Sequence, residues 1–333
     1  MLSRVANSLY WVSRYLERAE NLARMVEVNR YDSLDKGVND SPDNNDWEAL
    51  LYATCLQDIH AEATSDSDDS DVGRFITFSK KNNDSIRQCV AQARENARMV
   101  RDQISEEFWR ELNRFHLFVA SPQAITLWID QPESFYRKII EHCMLLTGLL
   151  NTTISHDEGW HFMQLGKALE RADKTTRVLD MLAFQGVPHR ARLASALRSC
   201  SALSAFKSDS RNSITLENTM SFLLFSASFP RSVRFCIRQL DLHLHAISGS
   251  ASGSFTNEAE RLAGSLLAQV NFSSISNVLQ DGYHGYIDSL QNHFNQIGQQ
   301  IFETYILLPS EIRSLKQDQS THWQFEQQQQ QQQ

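Results

Sequence analysis

The stretch that decides the fold is Arg14-Tyr15-Leu16-Glu17-Arg18-Ala19-Glu20, near the start of the 333-residue chain. Apolar residues recur around it at spacings of three and four positions: Leu9, Val12, Leu16, Ala19, Ala23 and Val26. This period predicts an amphipathic helix. A second apolar stripe runs beside the first, at Trp11, Tyr15, Leu22 and Met25. Two adjacent stripes make a wide apolar face, so we expect this helix to run inside the protein.

The same pattern returns in the second half as Lys167-Ala168-Leu169-Glu170-Arg171-Ala172-Asp173. Two further matches follow in the same order along the chain. They set Phe75-Ile76-Thr77-Phe78-Ser79 against Phe222-Leu223-Leu224-Phe225-Ser226, and Phe135, Ile139 and His142 against Tyr286, Leu290 and His293. We interpret the ordered matches as an internal duplication, with pseudo-repeats over about 1–153 and 154–310.

The duplication leads to a hypothesis about the two Glu-Arg helices, namely that they face each other across a pseudo-twofold axis. Glu17 would then reach Arg171, and Glu170 would reach Arg18. The physical reason is that an arginine buried without a partner is very costly.

The composition favours an all-α fold, because Gly (12) and Pro (6) are scarce. We expect a helical bundle of about ten to twelve helices, forming a single domain over residues 1–315. Residues 316–333, which end in seven Gln, are predicted to be a disordered tail.

Local signals place the individual helices. Asp84 is predicted to cap a helix that ends near 105, and 75–79 is predicted to be a turn or a single helical turn. A long helix is expected from 156–160 to Phe184, ended by Gly186 and Pro188. The other helices are predicted at about 106–120, 133–153, 190–206, 214–226, 230–247, 257–271 and 281–307, with a connection between Pro122 and Pro132.

Charge, cysteine content and hydropathy narrow the class of protein. The formal net charge of -8 gives no domain-wide basic surface for nucleic acid. The most apolar run, 144–150, is too short to span a membrane, and the N-terminus lacks the apolar stretch of a signal peptide. Five dispersed cysteines are typical of reduced core residues, so we expect a cytoplasmic protein.

Several longer motifs carry a family resemblance. They are Met1-Leu2-Ser3-Arg4-Val5-Ala6, Ser8-Leu9-Tyr10-Trp11, Arg14 to Asn21, Ala93-Arg94-Glu95-Asn96-Ala97-Arg98, Asp157-Glu158-Gly159-Trp160-His161-Phe162, Leu169-Glu170-Arg171-Ala172-Asp173 and Phe229-Pro230-Arg231-Ser232. Over about residues 1–310 the chain resembles the alpha-E domain family, a bacterial domain. Lys167-Ala168 departs from the family pattern, which more often has an Arg-Tyr-like pair there.

The resemblance implies an all-helical fold. It also implies a genomic setting beside an ATP-grasp-type ligase and a transglutaminase-like protease, in systems associated with making or trimming peptide tags. An accessory role in peptide ligation follows from that setting.

The leading candidate site is the pair of Glu-Arg motifs. In one interpretation they form a central polar pocket, where Arg18, Arg24, Arg171 and Arg177 hold a carboxylate or phosphate. In the other they form a structural ion-pair network. Arg231 follows Pro230 at a predicted helix start, where it would bind an anion together with backbone N–H groups, or else face solvent.

A metal site is a weaker candidate. Glu158 and His161 have the i, i+3 spacing of di-iron bundles, but the sequence lacks the second Glu-x-x-His motif that such a site needs. The alternative is that Asp157 or Glu158 caps the helix. No Gly-rich phosphate loop, Gly-x-Ser-x-Gly turn or zinc pattern occurs, so the sequence predicts no cofactor.

Three functions remain open at this point. The first is a non-catalytic binding or scaffold partner of the ligase system. The second is an enzyme of peptide-tag synthesis or modification, with Glu17 or Glu170 as acid/base. The third is a helical metalloprotein.

Overall fold

The computed structural model describes residues 1–35, 45–63, 70–183, 188–209 and 213–307. Within these ranges it has sixteen α-helices, one short 3₁₀ turn at Arg101–Gln103 and no strand. The prediction of an all-α fold is confirmed, and the predicted tail at 316–333 lies outside the described residues.

The helices divide evenly between the two halves of the chain. The first half holds α1 (Ser3–Asp35), α2 (Asn45–Thr54), α3 (Gln57–Ala63), α4 (Val72–Phe78), α5 (Ile86–Met99), α6 (Glu106–Ala120), α7 (Pro122–Asp130) and α8 (Pro132–Thr153). The second half holds α9 (Glu158–Asp180), α10 (Arg190–Ser199), α11 (Leu203–Ser208), α12 (Leu216–Phe225), α13 (Val233–Ser248), α14 (Glu258–Phe272), α15 (Ile275–Gln280) and α16 (Tyr283–Tyr305).

The described helices outnumber the predicted ten to twelve because several are too short to show a clear period. The segment predicted as one helix at 190–206 is two, separated where Ser201 adopts a φ of 52°. The connection expected between Pro122 and Pro132 is itself helical, with proline in the first turn of both α7 and α8. Proline suits that position because its missing N–H would have no helical partner.

Two predictions in the first half gave wrong lengths. Helix α5 ends at Met99 rather than near 105, and a 3₁₀ turn follows it. The segment predicted as a turn or a single helical turn at 75–79 lies mostly in α4, a helix of seven residues.

The predicted N-cap of α5 and the predicted end of α9 are also wrong. The N-cap of α5 is Ser85, whose side chain accepts from the backbone N–H of Gln88, while the Asp84 carboxylate is paired with Arg18. Helix α9 ends at Asp180, before the predicted stop; Gly186 lies outside the described residues.

The core lies around α1 and α9, which pack against each other along their length. The predicted apolar stripe of α1 is buried, with Val12, Ala19, Ala23 and Val26 fully enclosed. On α9, Leu165, Ala172 and Leu179 are equally enclosed. The wide apolar face predicted from the first helix therefore corresponds to a central position in the fold.

The outer helices follow the same plan in both halves. Helices α5 and α8 pack on α1, with α6 between them, just as α13 and α16 pack on α9 with α14 between them. The N-cap serines correspond too: Ser85 Oγ donates to the carbonyl of Ser79, and Ser232 Oγ donates to that of Ser226. These equivalences support the interpretation of two related halves.

The backbones of the central pair approach closely at Gly166. A Cβ placed there would lie 2.2 Å from the carbonyl oxygen of Tyr10. Only glycine permits this contact without a shift of one helix, so Gly166 sets how closely α9 lies against α1.

Four of the five cysteines are buried, as expected, but Cys55 is exposed. It follows α2 with a φ of 56°, a conformation that L residues seldom adopt. No helix in the described ranges has the length and apolar character needed to cross a bilayer.

Candidate functional site

The two Glu-Arg motifs meet reciprocally, as predicted. Arg171 Nη2 lies 2.7 Å from Glu17 Oε2, and Arg18 Nε lies 2.7 Å from Glu170 Oε1. Both carboxylates are buried; the side chain of Glu170 has no exposed surface. The centre of the fold is therefore a pair of crossed, solvent-shielded ion pairs.

Glu170 is held by three cations. Arg14 donates from Nε at 2.8 Å, Arg18 donates from Nε and Nη2, and Lys174 Nζ lies 3.7 Å away. Burial alone would raise the pKa of Glu170, but the attraction of Arg18, Arg14 and Lys174 lowers it well below its usual range. Arg18 also pairs with Asp84, which extends this group to the corner before α5.

Glu17 is held by a different set of partners. Arg171 donates twice, Arg231 Nη1 donates at 2.9 Å and Asn21 Nδ2 donates at 2.9 Å. Here too burial opposes ionisation, and Arg171 and Arg231 outweigh it to lower the pKa of Glu17 to about 2. Arg231 is buried and also pairs with Glu20, so it neither faces solvent nor sits free at a helix start.

The predicted binding arginines do not form one pocket. Arg24 donates to Glu20 at 2.8 Å, on the same side as Arg171 and Arg231. Arg177 Nε lies 3.4 Å from Asp173, and its Nη1 donates to Cys55 Sγ at 3.3 Å. The five arginines thus divide into a Glu17 side and a Glu170 side.

The Glu170 side opens into a cleft with a volume of about 390 Å³. Its cationic wall is Arg14, Arg18, Lys174 and Arg177, faced by the carboxylates of Asp84 and Asp173. The rest of the lining is apolar or uncharged: Tyr10, Trp11, Thr54, Cys55, Leu169, Phe294, Asn295, Gly298, Gln299 and Phe302. We call this feature the Glu170 cleft.

Much of this cleft could not be predicted from the sequence. Arg14 opens the first Glu-Arg motif and Lys174 directly follows the second, but neither position indicated a contact with Glu170. The wall from α16, with Phe294, Gly298 and Phe302, depends on packing between helices far apart in the chain.

On the Glu17 side, the described residues enclose a cavity of about 20 Å³, lined in part by Glu17, Glu20 and Lys167. Lys167 occupies the position in the second motif that Arg14 occupies in the first. Within the described residues it has no ion-pair partner, and burial together with Arg171 lowers its pKa to about 8. The two sides of the centre are therefore unequal.

The ion pairing bears on the hypothesis of acid/base chemistry. A general acid or base works best with a pKa near the operating pH. Glu17 and Glu170 both stay ionised far below that pH, and both oxygens of each carboxylate contact arginine donors. This arrangement favours the structural ion-pair network over catalysis by either glutamate.

The structure places the two metal candidates with different partners. Glu158 Oε2 pairs with the N-terminal ammonium of Met1 at 2.9 Å, while His161 Nδ1 lies 2.9 Å from His243 Nδ1. Asp157 caps α9 by accepting from the N–H groups of Gly159 and Trp160, which confirms the capping alternative.

Comparison with known proteins places the chain in a family. A family model described as a predicted alpha-helical domain with a conserved ER motif matches residues 1–306. An uncharacterized protein of Mycobacterium bovis is 26% identical over 270 residues, which is 75% of this chain and 30% of that protein. An uncharacterized protein of Mycobacterium tuberculosis strain H37Rv is 25% identical over 270 residues, with the same coverage.

The chain thus spans about 30% of the length of the curated relatives it matches. No solved structure matches it. The two Glu-Arg pairs lie on the central helices, and the family model covers both of them and nearly all of the described fold. The chain belongs to the Alpha-E family.

Proposed function

We propose that this chain is a non-catalytic binding component of a cytoplasmic peptide-ligation system, acting with an ATP-grasp-type ligase. In this proposal the Glu170 cleft binds a peptide through its carboxylate groups. The observation that carries the proposal is the cleft itself, where four cations border a partly apolar space of about 390 Å³.

The cations of the cleft differ in how firmly they are already held. Arg14 and Arg18 make short contacts to the buried Glu170. Lys174 and Arg177 have looser contacts, at 3.2 Å and 3.4 Å from Asp173. A ligand carboxylate would therefore form its strongest hydrogen bonds with Lys174 and Arg177, whose N–H donors are less fully used and which lie one turn apart on α9.

The apolar part of the cleft suits the rest of a peptide. Trp11 lies under the Arg14 guanidinium at 5.0 Å, and Phe302 from α16 is 40% exposed. Concave sites that combine apolar surface with a few placed charges are the usual form of small-ligand sites. Side chains or backbone of a short peptide would pack there while its carboxylates meet the cationic wall.

The ligase partnership is supported by the family resemblance. The resemblance associates such chains with an ATP-grasp-type ligase and a transglutaminase-like protease, whose chemistry makes and breaks amide bonds. A protein that binds an acidic peptide without cleaving it would be a suitable partner for enzymes that form and hydrolyse amide bonds.

The ligand part of the proposal is tested with tetraglutamate as the probe. Fluorescence polarisation of labelled tetraglutamate measures affinity, and we expect Lys174→Gln to weaken it roughly tenfold, since a hydrogen bond to a charged group contributes about 1.5–3 kcal/mol. Lys138→Gln is the matched control, because Lys138 is exposed on α8 away from the cleft. Equal binding of uncharged, amidated tetraglutamine would overturn the proposal.

Cys55 provides a second readout at the site. It is the exposed cysteine and lines the cleft, so a thiol reagent should modify it first. Saturating tetraglutamate should slow that modification several-fold in the wild-type chain, with Cys55→Ser as the blank. An unchanged rate would place the peptide elsewhere.

The partnership needs its own experiment. Co-expression with the ATP-grasp-type ligase, followed by size-exclusion chromatography, should give one complex containing both chains. Two separate peaks at micromolar concentration would refute the partnership, but they would not affect the proposal that the cleft binds a peptide.

A further inference from the structure

Beyond the cleft, three side chains converge where α9 ends and α16 begins. Asp180 Oδ1 lies 2.7 Å from His284 Nδ1, and His284 Nε2 lies 3.6 Å from Asp288 Oδ2. One ligand atom from each residue can be chosen so that all three lie within 4.8 Å of one another. In the described part of the chain, this is the one group of three such residues with that spacing.

The spacing is close to what a metal ion requires. With bonds of about 2.1 Å, adjacent ligand atoms around an octahedral ion lie roughly 3.0 Å apart. Asp180 Oδ1 and His284 Nδ1 already have nearly this separation. Asp288 has a half-exposed side chain, so its carboxylate is free to turn toward the same point.

The carboxylates of Asp180 and Asp288 also favour a bound cation. Asp180 is buried, and its ion-pair partner in the described ranges is the histidine alone. Two carboxylates thus lie beside a single imidazole, and their negative charge attracts a cation.

We propose that Asp180, His284 and Asp288 form a binding site for a divalent first-row transition metal. One imidazole and two carboxylates are a ligand set that suits Zn²⁺, Mn²⁺ and Fe²⁺. His284 and Asp288 are about half exposed, so the bound ion would keep open positions for water or for a ligand oxygen.

The site is separate from the Glu17 and Glu170 ion pairs and from the weaker pair Glu158 and His161. It lies on α9 and α16, the same two helices that supply part of the Glu170 cleft. Asp180 stands one turn beyond Arg177, so a metal here would extend the cationic wall along α9. The site stands on its own geometry, whether or not the cleft binds a peptide.

The experiment uses the full chain, stripped with EDTA, dialysed and titrated with Zn²⁺ by calorimetry. We expect one equivalent to bind, and His284→Ala and Asp288→Asn each to weaken binding by at least about tenfold, as loss of metal-site contacts does. Asp288 is half exposed, so Asp288→Asn should keep the wild-type melting temperature and circular dichroism. His284→Ala removes the ion-pair partner of the buried Asp180 and should lower the melting temperature, so its binding is compared at a temperature where its circular dichroism matches the wild type. Asp180→Asn is read only if it passes the same two checks.

Asp281→Asn is the matched control, since Asp281 is an exposed aspartate just before α16 that is outside the group. It should bind Zn²⁺ as the wild type does. Binding that disappears in His161→Ala but survives in His284→Ala would assign the ion to the His161 and His243 pair and overturn the proposal. Failure to bind below millimolar Zn²⁺ would overturn it as well.

Discussion

The two sides of the central helix pair share the same Glu-Arg ion pair but differ in the residues around it and in the space beside it. On the Glu17 side, Arg231 and Asn21 join Arg171 around the carboxylate, and the remaining space is about 20 Å³. On the Glu170 side, Arg14 and Lys174 join Arg18, and the space is about 390 Å³. A similar buried ion pair therefore lies beside a closed cavity on the Glu17 side and beside an open cleft on the Glu170 side.

Individual substitutions between the halves account for the difference. Arg231 on the closed side corresponds to Asp84 on the open side, each directly before an N-cap serine. Arg231 points inward and pairs with both Glu17 and Glu20. Asp84 instead pairs with Arg18 at the corner before α5. The ion pairs therefore join the two halves in the same way, while divergence around one of them leaves an open cleft.

The largest effect is expected from removing the central carboxylates. Glu170→Gln leaves three cations without their buried partner and should lower the free energy of unfolding by about 3–5 kcal/mol. Glu17→Gln should lower it by about 1 kcal/mol less, since Glu20 still pairs with Arg231. Urea denaturation followed by circular dichroism measures both.

Glu258→Gln, which breaks an exposed pair with Arg261, serves as the control and should leave the unfolding midpoint unchanged. If Glu170→Gln behaves like this control, the ion pairs do not hold the halves together.

The next effect concerns the close approach of the central helices. Gly166→Ala puts a methyl group against the Tyr10 carbonyl and should lower the free energy of unfolding by about 2–3 kcal/mol through overpacking. Gly148→Ala, in α8 with no atom within 4 Å of the new Cβ, should instead raise it by about 0.5–1 kcal/mol. Thermal unfolding measures the stability of both variants. Equal shifts in melting temperature would mean that α1 and α9 move apart at little cost to fit the new methyl group.

The smallest effect distinguishes Arg14 from Lys167, which hold the same place in the two motifs. Arg14→Met removes two donors from Glu170 and should lower the free energy of unfolding by about 2 kcal/mol. Lys167→Met removes an ammonium with no ion-pair partner among the described residues, so it should have the opposite sign and raise the free energy of unfolding at pH 7, by on the order of 1–2 kcal/mol.

Lys167 also predicts a pH dependence. Its pKa is about 8 in the folded chain and 10.5 ordinarily, so the unfolded state binds more protons between these values. Wild-type stability should therefore rise from pH 8 to 10.5 relative to Lys167→Met. Parallel profiles for the two proteins would show that Lys167 is not shielded from solvent.

Sequence reasoning was most successful where one helix carried the information. The period of α1, the second Glu-Arg motif and the requirement that a buried arginine be paired were enough to predict the contacts of Glu17 with Arg171 and of Glu170 with Arg18. It failed for short helices such as α7 and α15, because nine or six residues show too little of a period. It also failed for Arg231, whose inward direction depends on the corner before α13.

The sequence by itself determined the helical class, the family and the reciprocal ion pairs, because local period and buried charge are properties of a helix and its immediate partner. Only the tertiary structure decided that one side of the centre closes over Arg231 and the other opens beside Lys174. It alone also brought Asp180 to His284 and Asp288. Those outcomes depend on how α2, α13 and α16 pack on the central pair, and contacts between such distant segments leave no local pattern.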